Sequence, residues 1–329
     1  MKKLAAILGA ATLALLPLSA CGGDSLTTLE INEVTHSVFY APLYLADSLG
    51  YFEEEGLKIE LTNGGGANNV MASILSGDAD IGFCGPEAAI YVAVGDTNDQ
   101  PTVFAQLTKR DGSFLVSRTA EPDFKWENLK GKEILAGRRG GVPAMTFEYV
   151  LKENGFADSD ININYKVEFN LMTAAFESGT ADYCTMFEPT ASEFQKAGKG
   201  HIVASVGEAG GVVPYTGFIA KRSWLKRNEE NARGFIRALL KAVDYAQKKP
   251  AEDVAAQILG HFPDASLESM TTSIANYQRI DSWFTDLKMP EASFTRLQTI
   301  IESAGELTSP MEFSKVVDNH YVEEEFAKM

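Results

Sequence analysis

Two glutamates, Glu87 and Glu188, occupy matching positions in a phrase that the sequence contains twice. Residues 76–87 read SGDADIGFCGPE and residues 178–189 read SGTADYCTMFEP, so each copy ends with a Glu beside a Pro. Both glutamates could be no more than solvated charges, which the macrodipole favours at a helix start. A carboxylate beside an aromatic ring could instead accept hydrogen bonds from the N–H groups of a flat heterocycle. Because Phe187 precedes Glu188, we expect Glu188 to contact a ligand more closely than Glu87.

The other reactive side chains form no familiar catalytic or metal-binding pattern. The sequence contains no Gly-x-Ser-x-Gly, no HExxH and no Cys paired with a His. Cys84 and Cys184 each lie in one copy of the phrase on a predicted buried strand, so we expect two free, buried thiols rather than the alternative disulfide. We therefore expect no enzyme activity, no cofactor and no metal, since no ligand set exists among the scattered His36, His201, His261 and His320.

Two glycine-rich runs could cradle a phosphate but depart from the nucleotide-binding motifs. Residues 64–66 fail the GxGxxG pattern because Asn69 occupies the last glycine position. The RRGG run at 138–141 lacks the Gly-Lys-Ser/Thr ending of a P-loop. Both runs precede predicted helices, and exposed helix N-termini together with Arg110 and Arg138 could hold a sulfonate or a carboxylate.

Strands and helices alternate along the chain around these residues. Each copy of the phrase indicates a helix, a glycine turn at Gly77 or Gly179, a central strand, and a loop that opens the next helix. Alternating elements form parallel sheets, and two such sets predict an α/β protein with two lobes. The predicted strands are 26–34, 57–61, 81–84, 133–136, 161–167 and 183–187, and the predicted helices are 42–48, 67–75, 86–95, 143–154, 189–198 and one around Met172.

The carboxyl ends of these strands are where a ligand is expected, as in other open parallel sheets. The two copies of the phrase would then form facing walls of one cleft. His36 could be a structural histidine or a ligand contact, Phe39 and Tyr40 could be core residues or cleft walls, and the aromatic residues favour a flat ring. The residues expected to bind the ligand are Thr35, His36, Ser37, Phe39, Tyr40, Gly65, Gly66, Ala67, Asn68, Gly85, Pro86, Glu87, Arg110, Gly140, Gly141, Val142, Pro143, Ala144, Met145, Phe187, Glu188 and Tyr215.

The length and charge of the chain limit its architecture and its partners. A chain of 329 residues is long enough for two lobes. The formal net charge is −16, and losing the two positive charges of Lys2 and Lys3 with a leader would make it −18. Such an acidic surface repels phosphate backbones, so we expect no nucleic-acid partner.

The N-terminus resembles the signal peptide of a bacterial lipoprotein. Residues 1–20 contain two lysines, an apolar stretch over 4–16, and the sequence LSA directly before Cys21. In this pattern the Cys thiol receives a diacylglyceryl group and becomes the new N-terminus, which leaves 21–28 as a flexible tether. One acyl chain binds membranes only marginally, so two or more would anchor the protein. The alternative is an ordinary secreted protein whose cleavage site happens to precede a Cys.

The mature chain resembles the SsuA/THI5-like (NMT1-type) substrate-binding proteins of ABC importers. The similarity runs in order through FYAPLYLADSLGYFEEEGLKIEL, GGGANNVMASILSGDADIGFCGPEAAIYV, LKGKEILAGRRGGVPAMTFEYVL, the second phrase with its FEP, and VPYTGFIAKRSWL. The resemblance implies a two-lobed type II periplasmic-binding-protein architecture with the ligand cleft between the lobes. It implies one lobe over 29–112 and 216–329, a second lobe over 113–215, and a helical tail after Ser223 that packs on the first lobe.

The same resemblance implies a function in transport. A solute-binding lipoprotein would capture a small organic molecule and deliver it to the ABC permease, working as a monomer anchored to the extracytoplasmic face of the cell membrane. That face is the outer surface in a Gram-positive cell, or otherwise the periplasmic side. Sulfonates, carboxylates and thiamine-precursor pyrimidines are the expected ligands, although MFEPTA at 186–191 differs from the motif of the pyrimidine binders. The alternatives are a ligand-sensing lipoprotein and a THI5-like enzyme.

Overall fold

The computed structural model describes residues 26–95 and 97–329, which contain two β-sheets flanked by helices. The first sheet consists of β1 (Thr27–Glu33), β2 (Leu57–Asn63), β3 (Ile81–Cys84), β4 (Pro101–Thr108) and β9 (Thr216–Lys221). The second consists of β5 (Phe114–Ser117), β6 (Ile134–Leu135), β7 (Tyr183–Met186) and β8 (His201–Ser205). The strand orders are β2-β1-β3-β9-β4 and β6-β7-β5-β8.

Each sheet draws its strands from a separate part of the chain. The first sheet uses residues 27–108 and 216–221, and the second uses residues 114–205. We use the expected division, 29–112 with 216–329 and 113–215, as the working definition of lobe 1 and lobe 2. Strand β1 already begins at Thr27, inside the expected tether. The expected signal peptide and Cys21 lie outside the described residues.

The prediction of parallel sheets is correct for most strands and wrong for β5 and β9. Strands β1, β2 and β3 are parallel, whereas β9 runs antiparallel to β3 and β4, and β5 runs antiparallel to β7 and β8. The chain leaves β4 at the carboxyl edge of one sheet and enters β5 directly, without a helix to bring it back to the opposite edge. A strand entered in this way must run in the reverse direction. The chain also passes from lobe 2 directly into β9, so β9 likewise runs antiparallel to its neighbours.

A strand over 161–167 is also predicted, and the structure contains only one bridge there, between Ile163 and Ile134. The extended segment is cut short by Asn164, whose side-chain oxygen accepts a hydrogen bond from the Lys166 backbone N–H at 3.0 Å. Such an Asn turn competes with the hydrogen bonds of a strand ladder.

The helices match the predicted pattern more closely. Gly77 and Gly179, at the ends of the two phrase helices, have φ values of 89° and 99°, the left-handed conformation that glycine adopts without strain. The helices are α1 (Ala41–Ser48), α2 (Tyr51–Glu54), α3 (Ala67–Ser76), α4 (Glu87–Val94), α5 (Val142–Glu153), α6 (Met172–Glu177), α7 (Thr190–Lys196), α8 (Val206–Gly210), α9 (Arg222–Arg227), α10 (Glu229–Lys248), α11 (Ala251–Ile258), α12 (Leu267–Arg279), α13 (Glu291–Ser303), α14 (Phe313–Val316) and α15 (His320–Phe326).

The helical tail packs on lobe 1, as expected. Helix α10 buries Phe235, Leu239 and Val243 at i, i+4 and i+8, and the Phe235 ring stacks on Phe52 of α2 with centroids 5.3 Å apart. Cys84 and Cys184 are free and buried, which confirms that prediction. None of the helices within 26–95 and 97–329 has the length and apolar character needed to cross a membrane.

Candidate functional site

A cavity of about 80 Å³ lies between the two lobes, and we call it the central cavity. It lies beside the carboxyl ends of β1, β3, β6 and β7, where the sequence predicts the ligand. Its lining combines predicted site residues with residues that were not predicted. The former are Thr35, Tyr40, Gly66, Ala67, Gly85, Glu87, Gly141, Val142, Pro143, Phe187 and Tyr215, and the latter are Val34, Gly137, Phe169 and Thr216. Arg138, which the sequence suggests as a group that could hold an anion, also lines the cavity.

Glu87 is the buried carboxylate of the central cavity, with 2% of its surface exposed. Its Oε2 atom has no hydrogen-bond partner within the described part of the chain. Gly85 leaves space for this carboxyl group, because a Cβ atom at that position would overlap Oε2. Burial raises the pKa of Glu87 to about 7, against the opposing effects of nearby backbone N–H groups and of Arg138. Glu87 therefore has a carboxyl oxygen that can still accept a hydrogen bond.

Aromatic rings form the walls of the central cavity. Phe187 stands between Phe169, at 5.9 Å between ring centroids, and Tyr215, at 6.2 Å. The Tyr40 hydroxyl lies 3.4 Å from Thr216 Oγ1, and the buried Tyr215 hydroxyl faces the carboxyl group of Asp111. Burial raises the pKa of both phenols, so both stay neutral hydrogen-bonding groups. These walls suit a flat ring.

Arg138 is the cationic side chain in the lining that the structure describes. It follows β6 in lobe 2, and its Nη2 donates a hydrogen bond of 3.3 Å to Oδ1 of Asn68 at the start of α3 in lobe 1. Asn68 is thus part of the junction between the lobes and does not line the cavity. The arginine thus links the two lobes, and its Nη1 donates to the Arg139 carbonyl at 3.2 Å.

Glu188, expected to be the better ligand contact, does not line the central cavity. Its carboxylate accepts three hydrogen bonds: from the Ser192 backbone N–H at 3.0 Å, from Ser192 Oγ at 2.7 Å, and from Asn276 Nδ2 at 2.6 Å. It borders a second cavity of about 190 Å³, lined also by residues 35–37. The structure therefore reverses the expected order of the two glutamates, because the carboxylate of Glu188 is already occupied by α7 and α12.

His36, Ser37 and Phe39 also lie outside the lining of the central cavity. His36 borders the second cavity, but its Nδ1 lies 2.7 Å from Glu33 Oε1 and its Nε2 lies 2.9 Å from the His261 carbonyl oxygen. The hydrogen bond to Glu33 raises the pKa of His36, and neither ring nitrogen is left for a ligand. Ser37 accepts a hydrogen bond from the Phe39 N–H, and Phe39 is fully buried. The structure thus supports the structural alternatives for His36 and Phe39.

The remaining predicted residues are not part of the lining of the central cavity. Arg110 donates to the Asp281 carbonyl at 3.2 Å, and Gly140 accepts from the Tyr91 hydroxyl at 3.0 Å. The same hydroxyl lies 3.7 Å from the sulfur of Met145. Gly65, Pro86 and Ala144 are next to lining residues in sequence but are not part of the lining.

Several hydrogen bonds hold the lobes together away from the cavity. In addition to the Tyr91–Gly140 bond, Lys152 Nζ of α5 donates to the Ser303 carbonyl at 2.8 Å, and Arg279 of α12 pairs with Glu208 of α8 at 2.8 Å. These contacts join lobe 1 to lobe 2. No group of three or more His, Cys, Asp or Glu residues in the described ranges is arranged to hold a metal ion.

Comparison with known proteins agrees with this architecture. YtlA of Bacillus subtilis (strain 168), which is named as a candidate binding protein, is 42% identical over 308 residues, covering 93% of this chain and 92% of YtlA. A 4-amino-5-hydroxymethyl-2-methylpyrimidine phosphate synthase from Aspergillus parasiticus is 27% identical over 231 residues, covering 65% of this chain and 64% of the synthase.

A solved structure confirms the predicted fold. The periplasmic nitrate-binding protein NrtA from Synechocystis PCC 6803 superimposes with a TM-score of 0.76 at 15% identity, covering 92% of this chain and 89% of NrtA. The protein thus has the two-lobed fold of the periplasmic binding proteins. The model of the family described as NMT1/THI5 like matches residues 38–253. This chain belongs to the NMT1/THI5-like family.

Proposed function

We propose that this protein is the solute-binding component of an ABC importer, which captures a small organic molecule between its lobes and delivers it to the permease. The observation that carries the proposal is the central cavity, which both lobes enclose with aromatic walls and a buried acceptor. A site divided in this way is complete only when the lobes are together, as in receptors that close around a ligand. The names of YtlA and NrtA, both binding proteins, support this reading.

The protein binds its ligand without converting it. The described lining of the central cavity contains one carboxylate, Glu87, and contains no His, Cys or Ser. Nucleophilic catalysis of the usual kind needs such a side chain within hydrogen-bond reach of a base. The relationship to the Aspergillus parasiticus synthase keeps the enzyme as the alternative, and it predicts that a bound compound is chemically changed during incubation.

Native mass spectrometry of protein purified from its own host tests the proposal, because it identifies any compound retained in the cleft. Scattering then compares the protein before and after that compound is added back. We expect one molecule per chain and a more compact particle, and deletion of the gene should abolish uptake of the compound. Unchanged scattering with every compound would contradict the proposal. Conversion of the compound would favour the enzyme, and normal uptake after deletion would favour a sensor.

The protein works at the extracytoplasmic face of the cell membrane, attached through lipid on Cys21. The support for this anchor is the leader with its LSA sequence before Cys21. Changing Cys21→Ala should release the protein from membranes or leave the leader uncleaved. Membrane fractionation and intact-mass measurement check this, and unchanged membrane association with normal processing would refute the anchor.

A further inference from the structure

We infer that the ligand of the central cavity is a flat molecule that presents an amine or amidine N–H group to Glu87, and that this carboxylate rejects oxyanions. The inference rests on the proposed function, because it names the class of molecule that the cleft captures. It selects between the two ligand classes that the sequence left open, namely heterocycles with N–H donors and sulfonates or carboxylates.

The first argument is the unused acceptor. Glu87 is 2% exposed and its Oε2 has no hydrogen-bond partner among the described residues, whereas the oxygens of Glu188 accept three hydrogen bonds. Leaving a buried polar atom without a partner is costly, so such atoms in native proteins need an explanation. An N–H group entering the cavity beside Gly85 would provide that partner, and a positively charged N–H group would do so most strongly.

The second argument concerns the groups that could hold an oxyanion. Helix α5 begins at Val142 in the lining, but the Val142 N–H already interacts with the Glu87 carboxyl group, and the next residue, Pro143, has no N–H. The cation of the lining, Arg138, is bonded to Asn68 and to the Arg139 carbonyl. Above the pKa of Glu87, about 7, an oxyanion would therefore meet a negative charge at a place that the helix N-terminus would otherwise make favourable.

The third argument is the shape of the cavity. Tyr40, Phe169, Phe187 and Tyr215 all line it, so a flat ring can contact aromatic faces while its substituent reaches Glu87. Because ligands that share one ring make the same kind of ring contacts, the head group decides between ligands of the same shape.

Probes that share one ring and differ in head group test the inference. Benzamidine carries a cationic N–H group, benzoate and benzenesulfonate carry oxyanions, and 4-aminopyrimidine adds a neutral N–H donor. Calorimetric titration of the full-length protein should detect benzamidine or 4-aminopyrimidine and neither anion. Because this comparison uses the unmodified protein, it does not depend on the folding of any variant.

Removing the charge of Glu87 gives the second readout. The Glu87→Gln variant keeps the side-chain shape and should weaken benzamidine binding roughly tenfold to hundredfold. The matched control is Glu121→Gln, because this half-buried carboxylate is bonded only within lobe 2, to Ser117, Asn128 and Tyr183. The control should change the affinity by less than about twofold.

The pH dependence of binding gives a third readout that a merely structural glutamate would not produce. Benzamidine stays cationic from about pH 5.5 to about 8.5, so its affinity should increase with pH through the pKa of Glu87, about 7, and then level off. Glu87→Gln should abolish this increase. The titratable groups that interact with Glu87 stay neutral phenols or thiols, or a permanently charged guanidinium, over this range: Tyr40, Tyr91, Tyr215, Cys84 and Arg138. Burial raises the pKa of Asp111, which faces Tyr215, to about 6, and its titration remains in Glu87→Gln, so the variant separates the two groups.

Each outcome supports or overturns the inference. Binding of benzoate or benzenesulfonate as tight as that of benzamidine would overturn it, as would unchanged benzamidine affinity in Glu87→Gln or the failure of both N–H probes to bind. If an anion binds and compacts the protein, the inference fails while the proposed importer function stands. If no probe and no compound from the host binds, the proposed function itself fails.

Discussion

Glu188 is expected to matter for stability rather than for ligand affinity, and the Glu188→Gln variant tests this. The side chain is 2% exposed, and its oxygens accept hydrogen bonds from Ser192 N at 3.0 Å, Ser192 Oγ at 2.7 Å and Asn276 Nδ2 at 2.6 Å. A glutamine has one acceptor oxygen, so its NH₂ group would face either the Ser192 N–H or the pair formed by Ser192 Oγ and Asn276.

The magnitude follows from these contacts. A hydrogen bond to a charged group contributes about 1.5–3 kcal/mol, and leaving a buried donor without its acceptor costs a similar amount. Because glutamine retains part of the network, we expect the free energy of unfolding to fall by about 2 kcal/mol, which is roughly 3–6 °C in Tm. The affinity for a ligand of the central cavity should change by less than about twofold, because Glu188 does not line it.

Calorimetric melting and titration with benzamidine provide the assay. Glu193→Gln is the control, because Glu193 lies in the same helix, is exposed, and bonds only to Ser269 Oγ, at 2.8 Å. This surface change should stay within about 0.5 kcal/mol. An unchanged Tm in Glu188→Gln together with a tenfold loss of affinity would refute the reasoning, and it would restore the ligand-orienting role first expected for Glu188.

Three further predictions concern groups in or near the cleft. The folded state holds the Glu87 proton more tightly than the unfolded chain, so the free energy of unfolding should fall by about 3 kcal/mol as pH rises from 4.5 to about 7. Chemical denaturation of Glu87→Gln at the same pH values should lack this decrease. The stabilisation from protonated His36 beside Glu33 should be complete below pH 6.5 and lost as pH rises through the raised pKa of His36. The difference in unfolding free energy between wild type and His36→Asn should therefore become smaller as pH rises through that pKa. Gly85→Ala should weaken benzamidine binding in titrations, since the new Cβ displaces the Glu87 carboxyl group, and unchanged affinity would exclude that steric role.

Local patterns predicted the elements of the two phrases well. The Gly77 and Gly179 turns, the strands β3 and β7 and the helices after them all follow from residue spacing and from the special backbone of glycine. The family resemblance supplied the two-lobed architecture with its cleft. Neither source required knowledge of contacts between distant residues.

The roles of individual side chains depended on such distant contacts. The partner of Glu188, Asn276, lies 88 positions away, and the His36 ring is bonded to the carbonyl of His261, 225 positions away. No local pattern reveals that a carboxylate or an imidazole is already bonded. Phe169 was missed as a lining residue because its segment was assigned to no element at the cleft, although it follows the expected strand at 161–167. The directions of β5 and β9 depend in the same way on how the chain passes between sheets.

The hydrogen bonds that join the lobes outside the central cavity allow affinity and selectivity to change independently. Tyr91 to Gly140 and Lys152 to Ser303 form only when the lobes meet, and none of these four residues lines the cavity. Such bonds set the fraction of molecules in the binding-competent arrangement, and the apparent dissociation constant scales inversely with that fraction for every ligand alike. Substitutions there would shift all affinities by a common factor and leave their ranking intact. Uptake could thus be adjusted to scarce or abundant solute without altering which solute is accepted.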